Sequence, residues 1–251
     1  MGIEYQVRDH VAEIVVDYAP VNALPVQGWF DLAAALDRAG ADPEVRAAIV
    51  IGKHKGFNAG VDIKEMQRTE GFTALLGANK GCYVAFKAVY ECKVPVIVAA
   101  HGFCVGGGIG LAGNADILIA VKGTKFGLPE VDRGALGAAT HLARLVPPLK
   151  MRSMVLTCEN VVAEQLQEWG SCYAVVDSYD ELLPKAREIG ASLAKKLPKV
   201  VRTAKECLNT IDPVDVNRSY RTEQGFTFEL NLSGAADEAR DAFVEKRDVK
   251  V

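Results

Sequence analysis

The sequence predicts an α/β fold that ends in a helical extension, and three observations carry that expectation. Residues 46–52, 95–100 and 116–120 are almost continuously apolar, as strands covered on both faces are. Stretches with helical spacing separate them. From residue 135 onward nearly every patterned stretch is helical, which is the order of an α/β core followed by helices.

Taken in order, residues 3–17 alternate apolar and polar, and 11–17 reads as a strand. Tyr18-Ala-Pro-Val-Asn22 is a turn, and 29–38 carries helical spacing. The strand at 46–52 leads to a loop at 57–62, where Asp62 opens a helix. A long helix covers 73–90. The strand at 95–100 runs into a glycine-rich segment, 102–113, that becomes helical. The strand at 116–120 and a short one at 124–126 follow. Helices are predicted over 140–145, 152–157, 163–169, 182–196, 200–209, 214–232 and 235–246, with 174–177 alone reading as a strand.

Composition narrows the function classes. The chain has 251 residues, 49% hydrophobic and 24% charged, with a net charge of −3. That length fits one large domain or a domain with an appendage. No basic stripe points to nucleic acid. No apolar run approaches the roughly 20 residues of a membrane span. Met1-Gly-Ile-Glu-Tyr5 lacks the basic and apolar regions of a signal peptide, so a cytoplasmic location is expected. The six cysteines form no Cys-x-x-Cys pair and no cysteine–histidine cluster of zinc spacing, so free thiols and no metal are expected.

Gly106-Gly-Gly-Ile-Gly-Leu-Ala-Gly113 contains a formal G-x-G-x-x-G. A dinucleotide site needs an acid at the end of the next strand, and that strand ends in Ala120-Val-Lys122. Two other readings stand beside the dinucleotide one. The glycines let a strand and a helix pack closely, or they aim bare N–H groups at an anion. With a second N–H from Phe57-Asn-Ala-Gly-Val-Asp62, the latter would form an oxyanion hole.

Three runs in this order resemble the enoyl-CoA hydratase/isomerase family, the crotonases. They are Phe57-Asn-Ala-Gly-Val-Asp-Ile-Lys-Glu-Met66, Pro95-Val-Ile-Val-Ala-Ala-His-Gly-Phe-Cys-Val-Gly-Gly-Gly108 and Phe126-Gly-Leu-Pro-Glu130. Ala19-Pro-Val-Asn-Ala-Leu24 resembles the family's CoA-contacting turn, and Ala242-Phe-Val-Glu-Lys-Arg247 its C-terminal signature. The resemblance implies a spiral of ββα repeats over 1–190 and a helical trimerisation region over 191–251. It implies a homotrimer or dimer of trimers. Coenzyme A enters as part of an acyl-CoA thioester substrate, with no covalent cofactor. By motif position the thioester oxygen would sit between the N–H groups of Ala59 and Gly107. CoA contacts are implied at Ala19, Pro20, Val21, Asn58 and Ala59, with Phe243 and Lys246 reaching CoA from the same or a neighbouring chain.

Hydratases of this family flank a water with two glutamates. Glu130 occupies one position, but Gly110 stands at the other. Paired carboxylates suit addition of water, and one alone suits it poorly. Residues 60–75, 127–142 and 220–232 are similar to an actinobacterial branch that opens a ring of a bicyclic, steroid-derived CoA thioester by retro-Claisen-like hydrolysis. Glu130 would then be the base, its pKa raised by an apolar pocket. Hydration or double-bond isomerisation of fatty acyl-CoA is the alternative, and a non-catalytic CoA binder a third reading.

Asp62 is an N-cap or a second carboxylate. His141 is a core histidine or a catalytic assistant. His101 is expected to be structural. Arg133 and Asp132 orient Glu130 or pair at the surface. Trp29, Phe72, Phe86, Phe226 and Phe228 fill the core or line a pocket.

Overall fold

The computed structural model describes residues 1–69 and 71–249. Strands β1 (Gly2–Arg8) and β2 (Val11–Asp17) form an antiparallel hairpin, turned by Asp9 and His10, both at positive φ. From β2 the large sheet continues in parallel through β3 (Ala47–Gly52), β4 (Val96–Ala100), β6 (Ile117–Val121) and β9 (Ala174–Val176). A small second sheet holds β5 (Phe103–Val105), β7 (Lys125–Gly127) and β8 (Val161–Val162).

The apolar runs follow from two-sided burial. On one face Ile14, Val16, Val50 and Val98 pack with Trp29, Leu32 and Leu36 of α1 (Val26–Ala41) and with Phe86 and Val89 of α3 (Thr73–Glu91). On the other, Ile49, Ile51, Ile97 and Ile119 meet Leu182, Ala186 and Ile189 of α8 (Tyr179–Ala194). Every residue of β3 and β4 is buried. The expected boundary at residue 190 therefore falls inside α8, a helix that covers the sheet.

The ββα repeat is visible at β4–β5–α4 (Gly107–Ala112), where one strand lies in each sheet before a helix starts. After β3 the chain takes the equivalent path without a full strand, through single bridges Leu24–Val61 and Asn58–Cys104, into α2 (Ile63–Arg68). The turns between second strand and helix thus stack side by side. The short strands β5 and β8 were not predicted, since two or three residues carry no readable period.

The second half adds α5 (Ala139–Leu142), α6 (Pro148–Thr157) and α7 (Ala163–Glu168). Helix α9 (Pro198–Ile211) docks through charge. The buried Lys205 Nζ donates to the carbonyls of Val89 and Val94 at 3.2 Å and pairs with Asp116 at 2.7 Å. Helices α10 (Val216–Leu232) and α11 (Ala235–Glu245) then return over the stacked turns of the same chain.

Candidate active site

A cleft lies between the stacked turns and the two last helices. Gly60, Val61, Gly106, Gly107 and Glu130 form its floor, and Tyr220, Gln224, Thr227, Asn231 and Arg240 its helical wall.

The first turn is held by two asparagines. Asn22, in the left-handed region at φ 53, accepts from Tyr18 N–H at 2.8 Å and donates to the carbonyls of Lys53 and Gly56. Its own carbonyl accepts from Asn58 Nδ2 at 2.8 Å and from Ala59 N–H at 3.3 Å. Asn58 Oδ1 in turn accepts from Gly60 N–H at 2.8 Å. This changes two expectations. The Ala59 N–H is directed at Asn22, so it is not open to a thioester. The Asn58 side chain is fully buried and committed inside the protein, so it does not face CoA.

The free donor is two residues on. In the bridge with Leu24, the flanking groups make the bonds: Leu24 N–H donates to Gly60 C=O and Asp62 N–H to Leu24 C=O, both at 2.9 Å. A parallel bridge leaves the central residue's own groups pointing the other way. Val61 N–H therefore turns from Leu24 toward the cleft, and it has no acceptor among the described residues.

Gly107 opens α4, so its N–H is one of the unpaired first-turn donors of a helix. The turns touch closely: a Cβ on Gly60 would lie 3.1 Å from Gly107 N, and one on Gly107 2.6 Å from the Trp29 ring. Gly106 sits at φ 58, where a Cβ would come 2.9 Å from Glu130 Oε1. Glycine is required there both by conformation and by that carboxylate.

Glu130 precedes a 3₁₀ turn, Val131–Arg133, closed by Arg133 and Ala135 N–H groups on its carbonyl. The residue keeps some exposed surface, yet its Oε2 is buried without a hydrogen-bond partner. Burial pushes its pKa up to about 8, against the pull of its own backbone amide and of Arg133, with Glu223 adding to the rise. This is the shift expected of a base in an apolar pocket.

Position 110 explains the missing second glutamate. A Cβ on Gly110 would lie 2.2 Å from the Phe86 ring. That ring is fixed edge-on against Trp29 (centroids 5.7 Å apart) and His141 (5.0 Å) and tilted on Tyr220 (5.2 Å). An aromatic wall fills the space a second carboxylate would need.

The remaining expected residues divide plainly. Asp62 caps α2, accepting from Lys64 N–H at 2.9 Å, and does not line the cleft. His141 is buried behind Phe86 and Tyr220. Asn114 donates through Nδ2 to Phe86 C=O, so its Oδ1 accepts from His141 Nδ1–H at 3.1 Å. Burial, reinforced by Arg144, lowers the His141 pKa to about 3, so the ring is neutral and off the cleft. His101 donates through Nε2–H to His54 C=O at 3.1 Å within the loop frame, as a structural histidine does. Ala19 and Pro20 lie at the surface with Val21 half-buried beside them, on the turn that Asn22 pins. Phe243 and Lys246 are exposed on α11 and at its C-terminus. Neither lines the cleft, and the Phe243 ring carries the Arg133 guanidinium at 4.1 Å.

The helical wall was not read from the sequence. Gln224 Nε2 donates to Asn79 C=O at 2.7 Å, bridging α10 to α3. Asn231 Oδ1 accepts from Arg240 at 2.8 Å, bridging α10 to α11. Glu223 accepts from Ala139 and Thr140 N–H groups at 2.9 and 2.7 Å, fastening α10 to the start of α5. The only signal was that 220–232 formed a distinctive run.

Stacked strand–turn–helix units that present two backbone donors beside one enclosed carboxylate define a class of acyl-CoA enzymes. The chain belongs to the enoyl-CoA hydratase/isomerase family, whose sequence pattern it matches over residues 6–251. It is 59% identical over 237 residues to the (7aS)-7a-methyl-1,5-dioxo-2,3,5,6,7,7a-hexahydro-1H-indene-carboxyl-CoA hydrolase of Rhodococcus jostii, covering 94% of this chain and 92% of that one. It is 60% identical over 236 residues to the protein of the same name from Mycobacterium tuberculosis, covering 94% and 95%. The crystal structure of an enoyl-CoA hydratase/isomerase from Xanthobacter autotrophicus superposes with a TM-score of 0.87 at 28% identity, covering 98% of this chain and 92% of that one.

Proposed function

We propose that the protein hydrolyses a ring carbon–carbon bond of a bicyclic, steroid-derived diketone carried as a CoA thioester; its 59% and 60% identical relatives are named as hydrolases of a bicyclic dioxo-indene-carboxyl-CoA. One observation carries the mechanism: among the described residues one carboxylate, Glu130, lines the cleft beside two cleft-facing backbone donors, while Phe86 fills the place of a second acid at position 110.

The thioester oxygen accepts from Val61 N–H, in place of the expected Ala59, and from Gly107 N–H. Glu130, as the carboxylate, takes a proton from water while the water oxygen bonds to the ring ketone carbon. The resulting alkoxide reforms its C=O and breaks the adjacent ring carbon–carbon bond. The departing electron pair spreads onto the thioester oxygen, where each preorganised donor contributes about 3–4 kcal/mol of transition-state stabilisation. Glu130 then returns its proton to the carbon, and the new carboxylic acid ionises. One carboxylate serves as base and then as acid. Simple hydration is disfavoured, because the position for its second acid is occupied.

Exposed Leu149, Leu156 and Leu232 on the helical half support assembly into the trimer that the family resemblance implies.

The test is a paired mass-spectrometric assay of crotonyl-CoA and the bicyclic thioester. The expected result is uptake of one water with ring opening in the second tube and no change in the first. Hydration of crotonyl-CoA without ring opening would overturn the reading.

A further inference from the structure

The cleft holds a cation that the mechanism above leaves unused. Arg133 lines it three residues after Glu130, at the end of the 3₁₀ turn. Its Nε is buried without an acceptor. Among the described residues no carboxylate pairs with its guanidinium. The neighbouring cation of the cleft is different: Arg240 is engaged by Asn231 and by Asp237. Arg133 is held instead by its plane, with Cζ 4.1 Å from the Phe243 ring centroid. Stacking of that kind fixes the plane of a guanidinium while its N–H edge stays open to an oxygen ligand. Arg133 is half-buried, but its Nε–H is buried with no acceptor, which is costly, so the site is complete only when an oxygen ligand takes that donor.

Ring opening makes an anion at this end of the substrate twice, first the alkoxide and then the carboxylate. We propose that Arg133 is a second catalytic group: its N–H groups bind the ring ketone oxygen, hold the alkoxide formed when water adds, and keep the new carboxylate until release. The inference rests on the ring-opening reading. The cleft then has one receptor for each developing charge: backbone donors at the thioester and a guanidinium at the ketone, with Glu130 next to both. Arg133 also pulls the Glu130 pKa down against burial, so its charge tunes the base.

The experiment compares the full-length protein with Arg133→Gln and Arg133→Lys on the bicyclic thioester. It reads kcat, KM, the pH profile, inhibition by the ring-opened product, and Kd for free CoA. Arg133→Gln is expected to lose about 10²–10³-fold in kcat with KM changed by less than about threefold. Its acid limb moves to higher pH, the product inhibits less, and free CoA binds as before. Arg133→Lys, which keeps the charge but not the fork, recovers part of kcat. A kcat for Arg133→Gln within about threefold of the parent overturns the proposal. So does an equal loss of affinity for free CoA, which makes Arg133 a phosphate anchor. If the parent itself opens no ring, the reading it rests on falls too. If the parent and Arg133→Gln open it equally well, only this proposal falls.

Discussion

The two walls of the cleft are built from different materials. The floor is backbone: Val61 and Gly107 offer N–H groups held in place by a bonded frame of Asn22, Asn58 and neighbouring strands. The helical wall is side chain: Gln224, Asn231 and Arg240 reach in from α10 and α11 and bridge to other helices. Backbone donors are indifferent to what the acyl chain is, because every CoA thioester presents the same oxygen. Side chains on helices vary freely without disturbing that frame. On the proposed reading, chemistry common to the family resides in the floor, and the choice of acyl group in the wall.

The sharpest way to break this division is to remove the one floor group that is a side chain. Glu130→Gln is expected to lower kcat by about 10²–10⁴-fold while CoA-ester affinity survives, read by steady-state kinetics and calorimetry. The same change has a stability signature. The Glu130 pKa is raised from 4.5 to about 8, so the folded state holds a proton that the unfolded state has released between those values. Its contribution is present below the lower value and is lost as pH rises through about 8. The parent should therefore lose more thermal stability than Glu130→Gln across that window. In the parent kcat/KM rises with pH up to about 8, as the carboxylate forms.

Gly110→Glu asks whether a second acid converts the site to a hydratase. Its Cβ would meet the Phe86 ring at 2.2 Å, so the expected result is destabilisation of about 3 kcal/mol or more and no hydratase activity. Stable protein that hydrates crotonyl-CoA would contradict the occupancy argument. On the other wall, Gln224→Leu and Asn231→Leu should raise KM for the bicyclic thioester by about tenfold, the size of one lost polar contact, while Kd for free CoA stays constant. Equal loss of both would put CoA recognition in the wall and remove the comparison.

The smallest effect on rate is expected from His141→Leu. The ring lies behind the aromatic wall, so kcat should stay within about threefold. Stability is another matter. With a pKa of about 3 in the fold against 6.5 outside it, neutral His141 favours the native state above 6.5, and this contribution is lost as pH falls toward 3. The leucine variant should lose less stability than the parent on acidification.

The same division governs what was legible beforehand. Two-faced apolar strands at β3 and β4 announced the sheet, since burial on both sides leaves no polar alternation. The glycines were legible because close approach and φ 58 demand specific residue types, and Glu130 because Phe126-Gly-Leu-Pro-Glu130 resembles a family motif. The donor's register was not. Ala59 and Val61 are both small-motif neighbours, and only the bonds to Asn22 and Leu24 decide which N–H is free. Asn58 looked available for a ligand until its partners were known. His141 and Asp62 are chemically competent, but packing takes one out of the cleft and helix capping the other. The wall residues lie on a helix whose polar inward face carries no sequence signature of its own.

The most direct test is ring opening in heavy-oxygen water, with the product fragmented to locate the label. The account predicts one heavy oxygen in the new ring-derived carboxylate, none on the thioester, CoA still attached, and no reaction with Glu130→Gln. Label in a hydroxyl at the double bond, or in an acid freed from CoA, would contradict it.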